Sequence, residues 1–424
     1  MLLRDPMGQL RGWLLWLLIP FLAGCWANSR SGPSTYLLPW ANEPGHYSLQ
    51  EITLTTLDDP YQLSGQAAKI YFGSELNGRN FDGEPARPRL LEQSGVFYPA
   101  DRASILAVTA YAHYEHMFKK DQELGVSAGV GWPRQVSVDS EYLDENLGMV
   151  TRNAEYIGIY DVTRVAPHSG DGIPVALNGG VLAHENFHAY FDKAVSGPVR
   201  RTYPFRPKIN LYWPALNGGP LNELWLASQW KSDHTNDDDP DEWLLYNLLV
   251  LRAWDEGLAD YFGYFYAKDP QFMAASFKEV APFRSVEGFY PPIPSIESLS
   301  EKFYGVDDPD CIKVCQSYTY GTFNTRFLLD FQKSTGLSDE AIARSIKLNL
   351  PRLGKQVLEA MARGEHLPFG MVWDVLLSDE SKLANESGCP VIEYYFNWKQ
   401  VPRSEKNRWA QLCKSLGPWS GSDG

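Results

Sequence analysis

The sequence predicts an α+β fold in two lobes, strand-rich ahead of a central helix and all-helical behind it. Three observations carry this expectation. Up to Pro99 the chain runs in short alternating segments broken by Gly, Pro, Asn and Asp, the punctuation of strands and turns. The segment VLAHENFHAYFDKAV repeats apolar residues at helical spacing through Val181, Leu182, Ala189, Phe191 and Val195. Beyond Trp243, long apolar-periodic segments follow one another with helix caps between them.

At the N-terminus, Arg4 and Arg11 accompany an apolar stretch that ends in Leu22-Ala23-Gly24-Cys25. The stretch is about 10 to 12 residues, short of the roughly 20 that a spanning helix needs. Residues 1–24 are therefore expected to be an export signal. Leu-Ala-Gly-Cys resembles a bacterial lipobox, which implies a lipidated Cys25, anchorage to the membrane and a place in the cell envelope, periplasmic or surface-facing. Residues 25–35 are mostly small and polar and read as a tether.

Residues 36–195 form the expected N-terminal lobe. Segments 51–56 and 67–72 alternate as strands do. Asp101 is placed to cap a helix through Lys120, with Ile105, Val108, Tyr111 and Ala112 as its buried stripe. His113 and His116 lie three apart on it without an acidic motif, so they read as a surface or half-buried pair. Residues 152–162 are rich in aromatic and β-branched residues and read as a strand. A glycine-rich loop ending at Asn178-Gly179-Gly180 precedes the central helix.

Residues 196–243 carry several Pro and Trp and the acidic run 237–242, and read as an insertion between core helices. The aspartates there lack the spacing of a calcium loop and suit a solvated acidic turn. Residues 244–424 form the expected helical lobe. Segment 244–266 is one long helix. Phe323, Phe327, Leu328 and Phe331 mark another, ending at Gly336. Ser338 caps a third, and Pro351 is expected to open a fourth that Gly364 closes.

With 424 residues and 44% hydrophobic content, the chain has ample material for a large core. Lys+Arg 38 against Asp+Glu 52 gives a net charge of −14, with no basic run. That argues against nucleic acid as a partner, because phosphate binding needs a basic footprint. Apart from Cys25, the cysteines are Cys311, Cys315, Cys389 and Cys413. In an oxidising compartment they are expected to form two disulfides, and all three pairings stay open. A second zinc site is disfavoured, since they lack Cys-x-x-Cys spacing.

Chemistry concentrates in His184-Glu185-Asn186-Phe187-His188. On a helix, positions i and i+4 share a face, so both imidazoles can reach one ion while the glutamate projects beside them. A catalytic zinc site usually has three protein ligands. Glu256, in Trp254-Asp255-Glu256-Gly257-Leu258-Ala259-Asp260, is the best third candidate. Asp260, one turn on, can accept the outer N–H of a ligand histidine.

AHENFHA around His184 and DEGLADYFG around Glu256, with Asn153-Ala154 in the strand before them, resemble the gluzincin zinc peptidases of the thermolysin and fungalysin type. The likeness covers residues 100–335, including the helix around Ala112-His113-Tyr114. It implies a two-lobed zincin fold and a metallopeptidase acting on peptides or proteins. It also implies Zn2+ held by His184, His188 and Glu256, with Glu185 as general base and Asp260 behind a ligand histidine. The strand edge at Asn153 and Ala154 would pair with the substrate backbone.

In this sequence 68 positions separate His188 from Glu256, far more than is usual in that type, and its transition-state histidine has no obvious counterpart. Ser317-Tyr318-Thr319-Tyr320-Gly321 instead resembles the tyrosine motif of aminopeptidase N-like gluzincins. Tyr318 is thereby the first candidate for an oxyanion donor, with Tyr320, Tyr246 and His234 as others. Two further functions compete: a lipid-anchored binding or assembly protein on a silent peptidase scaffold, and a zinc amidase acting on a non-protein amide.

Overall fold

The computed structural model describes residues 32–77, 80–144, 148–150, 152–168, 171–203, 242–278, 284–287, 312–368, 370–377 and 388–391. These form a mixed α and β structure, with every described strand ahead of residue 166 and helices thereafter. The export signal, Cys25, Cys311, Cys413, His234 and most of 196–243 lie outside the described residues, as do the side chains of Tyr246, Cys315, Tyr318 and Tyr320. Cys389 is disulfide-bonded. No helix among the described residues is long and apolar enough to cross a membrane.

Strands β1 (Ser34–Glu43), β2 (His46–Leu54), β3 (Leu57–Asp59), β4 (Ser64–Gly65), β5 (Ala68–Asn77), β6 (Asn80–Pro85), β7 (Leu90–Gln93) and β8 (Val96–Pro99) precede helix α1 (Arg102–Glu123). Asp101 caps α1 as the sequence predicts, its side chain accepting from Ser104 N at 2.8 Å. After α1 come β9 (Arg134–Val138), β10 (Tyr142–Asp144), β11 (Gly148–Val150), β12 (Ala154–Ile157) and β13 (Val162–Val165).

One sheet runs β2-β1-β8-β7, and a larger one runs β12-β13-β9-β5-β4-β3 with β6 beside β5. The expected single strand over 152–162 is instead the start of a hairpin. Residues 158–161 turn, with Tyr160 N bonded to Ile157 O at 3.1 Å and Asp161 at φ 50, and β13 begins only at Val162. An aspartate tolerates that left-handed backbone better than most residues.

Helix α2 (Gly179–Phe191) carries the central motif. Asn178 caps it, accepting from Gly180 N and Val181 N, so the glycine pair is the first turn of the helix and not a break before it. The helical path continues through a π-turn at Asp192–Ser196 into α3 (Gly197–Thr202), past the 195 boundary drawn from sequence. Then follow α4 (Glu242–Ala267), α5 (Ile312–Thr335), α6 (Asp339–Ala362) and α7 (Met371–Leu376).

Ser338 caps α6 as expected, but Pro351 lies inside that helix and does not start a new one. Its ring sits on the exposed side while Leu350 and Leu353 on the other side are buried, so core packing holds the axis through the missing hydrogen bond.

Two hydrophobic cores result. One joins α1 to the sheets, the other gathers α4, α5, α6 and α7. Helix α2 belongs to both: Val181, Leu182 and Ala183 to the first, Phe187, Tyr190 and Phe191 to the second. Its place beside α4 is set by close approach. A Cβ on Gly263 would fall 2.9 Å from Gly180 O, and Phe187 stacks on Phe262 with centroids 4.5 Å apart. Helix α5 crosses α4 at a second such point, where a Cβ on Gly257 would come within 2.3 Å of Gly321 O. Each crossing brings one neighbour of the motif within side-chain reach.

Candidate metal centre

His184 and His188 project from the same face of α2, their rings perpendicular with centroids 4.7 Å apart. Their Nε2 atoms face each other at 3.1 Å. Across from them, α4 presents Glu256, with Oε2 3.4 Å from His184 Nε2 and Oε1 3.9 Å from His188 Nε2. The outer nitrogens look the other way. His188 Nδ1 is 2.8 Å from Asp255 Oδ1, and His184 Nδ1 is 3.0 Å from Asp260 Oδ1, off the in-line direction of an ideal hydrogen bond.

With each Nδ1 turned to a carboxylate, the proton belongs there and the Nε2 lone pairs point inward. Two lone pairs and a carboxylate meeting at one point repel one another unless a cation lies between them. A tetrahedron built on zinc–nitrogen bonds of about 2.1 Å has edges of about 3.4 Å. The distances of 3.1, 3.4 and 3.9 Å bracket that value, so the donor set fits a zinc-sized ion. His184, Glu185 and His188 form the one candidate metal-holding group detected among the described residues.

The surrounding charge makes the same demand. Arg252 NH2 reaches Glu256 Oε1 at 2.6 Å, and Arg284 NH2 lies 3.0 Å from Glu256 Oε2 and 2.6 Å from Asp260 Oδ1. Four carboxylates, those of Glu185, Asp255, Glu256 and Asp260, thus face two guanidiniums. Carboxylates outnumber guanidiniums around the histidines, and such surroundings favour a cation. Burial alone would lower the His184 pKa, yet contact with Asp260 and Glu256 overturns this and raises it to about 9. The centre holds a proton tightly where no metal competes. Burial would raise Glu256, but Arg252, the two histidines and Arg284 hold it well below the usual carboxylate range.

Glu185 is buried on the cleft side of α2. Desolvation raises its pKa above that of an ordinary glutamate, with His184 and His188 opposing. It also accepts a hydrogen bond from the backbone of Tyr156 in β12. Asn153 O accepts from the N–H of Ala166, the residue after β13, so by the period of two the backbones of Ala154 and Tyr156 point to the opposite side. β12 ends its sheet, and among the described residues no strand covers that side. Asn153 and Ala154 therefore border a cleft of roughly 330 Å³ shared with the two histidines, Glu185 and Glu256.

Every described residue expected at the site converges here: His184, Glu185, His188, Glu256, Asp260, Asn153 and Ala154. Tyr318 stands one turn before Gly321, whose Cα lies beside Glu256, and its side chain is not among those described. Sequence reading missed Asp255, Arg252 and Arg284. Arg252 was within reach, since it precedes Glu256 by four helical positions. Asp255 adjoins Glu256, where helical geometry turns a side chain about 100° away, and α2 happens to lie between them. Arg284 arrives on a distant segment that no local pattern announces. Of the pair His113 and His116, His113 is buried, more than the half-burial expected, with Nε2 3.1 Å from Leu177 O, and His116 is exposed.

No family model and no curated protein matches the chain.

Proposed function

We propose that the protein is a zinc metallopeptidase with a two-lobed zincin fold, holding Zn2+ through His184, His188 and Glu256. The observation that carries this reading is the convergence of two imidazole Nε2 atoms and one carboxylate at tetrahedral-edge distances, with carboxylates outnumbering guanidiniums around them.

When bound, zinc supplies Lewis acidity toward a water and a carbonyl. The chain supplies the rest. Glu185, with its raised pKa, takes a proton from the attacking water and returns it to the leaving nitrogen. Asp255 and Asp260 keep the imidazoles in the tautomer that turns Nε2 inward. The free side of β12 offers the backbone of Ala154 to an extended peptide, and a strand laid there would bring a scissile carbonyl past Glu185. Tyr318, on the turn preceding the α4–α5 crossing, is the proposed oxyanion donor. The lipobox-like Cys25 supports anchorage to a membrane of the cell envelope, and the disulfide at Cys389 suits an oxidising compartment.

Metal analysis of the purified mature chain, with digestion of a diverse peptide mixture, tests the reading. About one zinc per molecule and a defined cleavage profile are expected. Zinc without any peptide cleavage would favour the silent-scaffold or amidase functions. Absence of zinc would overturn the metal assignment.

A further inference from the structure

The two histidines are held in different ways, and the difference leads away from the centre. His188 leans on Asp255, a neighbour of Glu256 on the same helix. His184 leans on Asp260, whose carboxylate is gripped by Arg284 through NH2 at 2.6 Å and Nε at 3.3 Å. Arg284 does not belong to α4. It stands at the head of the described segment 284–287, itself in helical conformation, and the chain turns immediately after it.

Contacts with other described residues hold that segment. Val286 N donates to Pro270 O at 3.1 Å, and the Ser285 hydroxyl closes a small turn with Glu287. A further contact is Arg326 of α5, buried at 5% exposure. Its NH2 donates to Ser285 O and Glu287 O, both at 2.6 Å, and its Nε to Ser285 O at 3.1 Å. One planar fork thereby fixes both ends of the turn that follows Arg284. Glu256 and Asp260 are like charges one helical turn apart, almost wholly buried, with Arg284 as their shared counterion. A small shift of the turn would uncouple Asp260 and leave Asp255 untouched.

We propose that Arg326 is a positioning residue for the metal centre, acting through Arg284 on Asp260 and so on the orientation of His184, while His188 is held independently. The inference rests on the metal-centre reading above. Histidine-labelled protein loaded with zinc, observed by 15N NMR, separates the two rings. In R326M and in R326K the His184 ring signals shift or broaden while those of His188 stay in place. Lysine keeps the charge but offers a point donor in place of the fork, so R326K decides the matter should R326M fail to fold.

Zinc release to a chelator becomes about tenfold faster in both, the lower range for lost outer-shell support. Arg344 also donates to a backbone carbonyl, that of Leu124 at 3.2 Å, and lies off this path; R344Q leaves both rings and zinc release at parent values. The proposal is overturned if R326K and R326M leave His184 unmoved, or move His184 and His188 alike. If the parent takes up no zinc, the metal reading fails, and the same two ring signals in the metal-free chain still decide the relay.

Discussion

Two buried histidines in this molecule, His113 on α1 and His184 on α2, are equally hidden at 3% exposure and behave in opposite ways. His113 stacks on Trp40 with centroids 4.1 Å apart, and its Nε2 meets Leu177 O at 3.1 Å. Tyr266 OH completes its surroundings at 3.3 Å from Nδ1. With no acid among these contacts, burial lowers its pKa to about 3, and nearby His116 pushes the same way. His184 has two carboxylates in reach and its pKa rises to about 9. Burial is common to both, so the carboxylates make the difference. A histidine pair on an apolar helix becomes a cation site only when the facing helix supplies acids.

The sharpest way to break this comparison is to exchange the chemistry while keeping the shapes. Glu185→Gln should retain zinc and fold but lose about 10²- to 10⁴-fold in kcat, the usual worth of a general base. His113→Gln should leave peptide hydrolysis within about twofold of the parent. Equal losses in steady-state assays of the two variants would mean that α1 participates in turnover.

A smaller effect is expected behind the ligands. Asp255→Asn should weaken zinc binding by about 10- to 100-fold, read by competition with a chromogenic chelator, because His188 then loses the group that fixes its tautomer. Unchanged affinity would mean that Asp255 is only a helix-surface acid.

The mildest expected effect is on stability. His113 is neutral in the folded chain down to about pH 3 and titrates near 6.5 unfolded, so the unfolded state binds the extra proton between those values. Its contribution is therefore lost as pH falls below 6.5, by up to about 1.4 kcal/mol per unit. His184 in the metal-free chain has the opposite sign: a raised pKa contributes fully below 6.5 and is lost as pH rises through about 9. Urea titrations of chelated protein from pH 5 to 9 should show His113→Gln flattening the acid side and His184→Gln the alkaline side. Slopes altered on the same side by both variants would contradict the contrast.

How much of this was legible beforehand follows from distance along the chain. The caps at Asp101 and Ser338, the motif on α2 and the pair Glu256 and Asp260 are each fixed within one or two helical turns, where periodicity speaks directly. The turn at 158–161 was misread because Ile159 and Tyr160 look strand-like, while Gly158 and Asp161, which make the bend, were overlooked. Pro351 was misread because its exposed side tolerates a proline that local rules forbid. Arg284 and Arg326 were invisible. Their meaning depends on two segments distant in sequence meeting in space, and nothing in their neighbours' identities encodes that meeting.

The entry of α2 into both cores sets how the protein would come apart. All thirteen of its residues are buried, so no stretch of the motif can fray by itself into solvent. His184 follows residues packed in the sheet-side core, and His188 lies among residues packed in the helical one. Melting either half strips support from one histidine and exposes the apolar flank of the other. Amides of α2 should consequently be among the last of the described residues to exchange with deuterium.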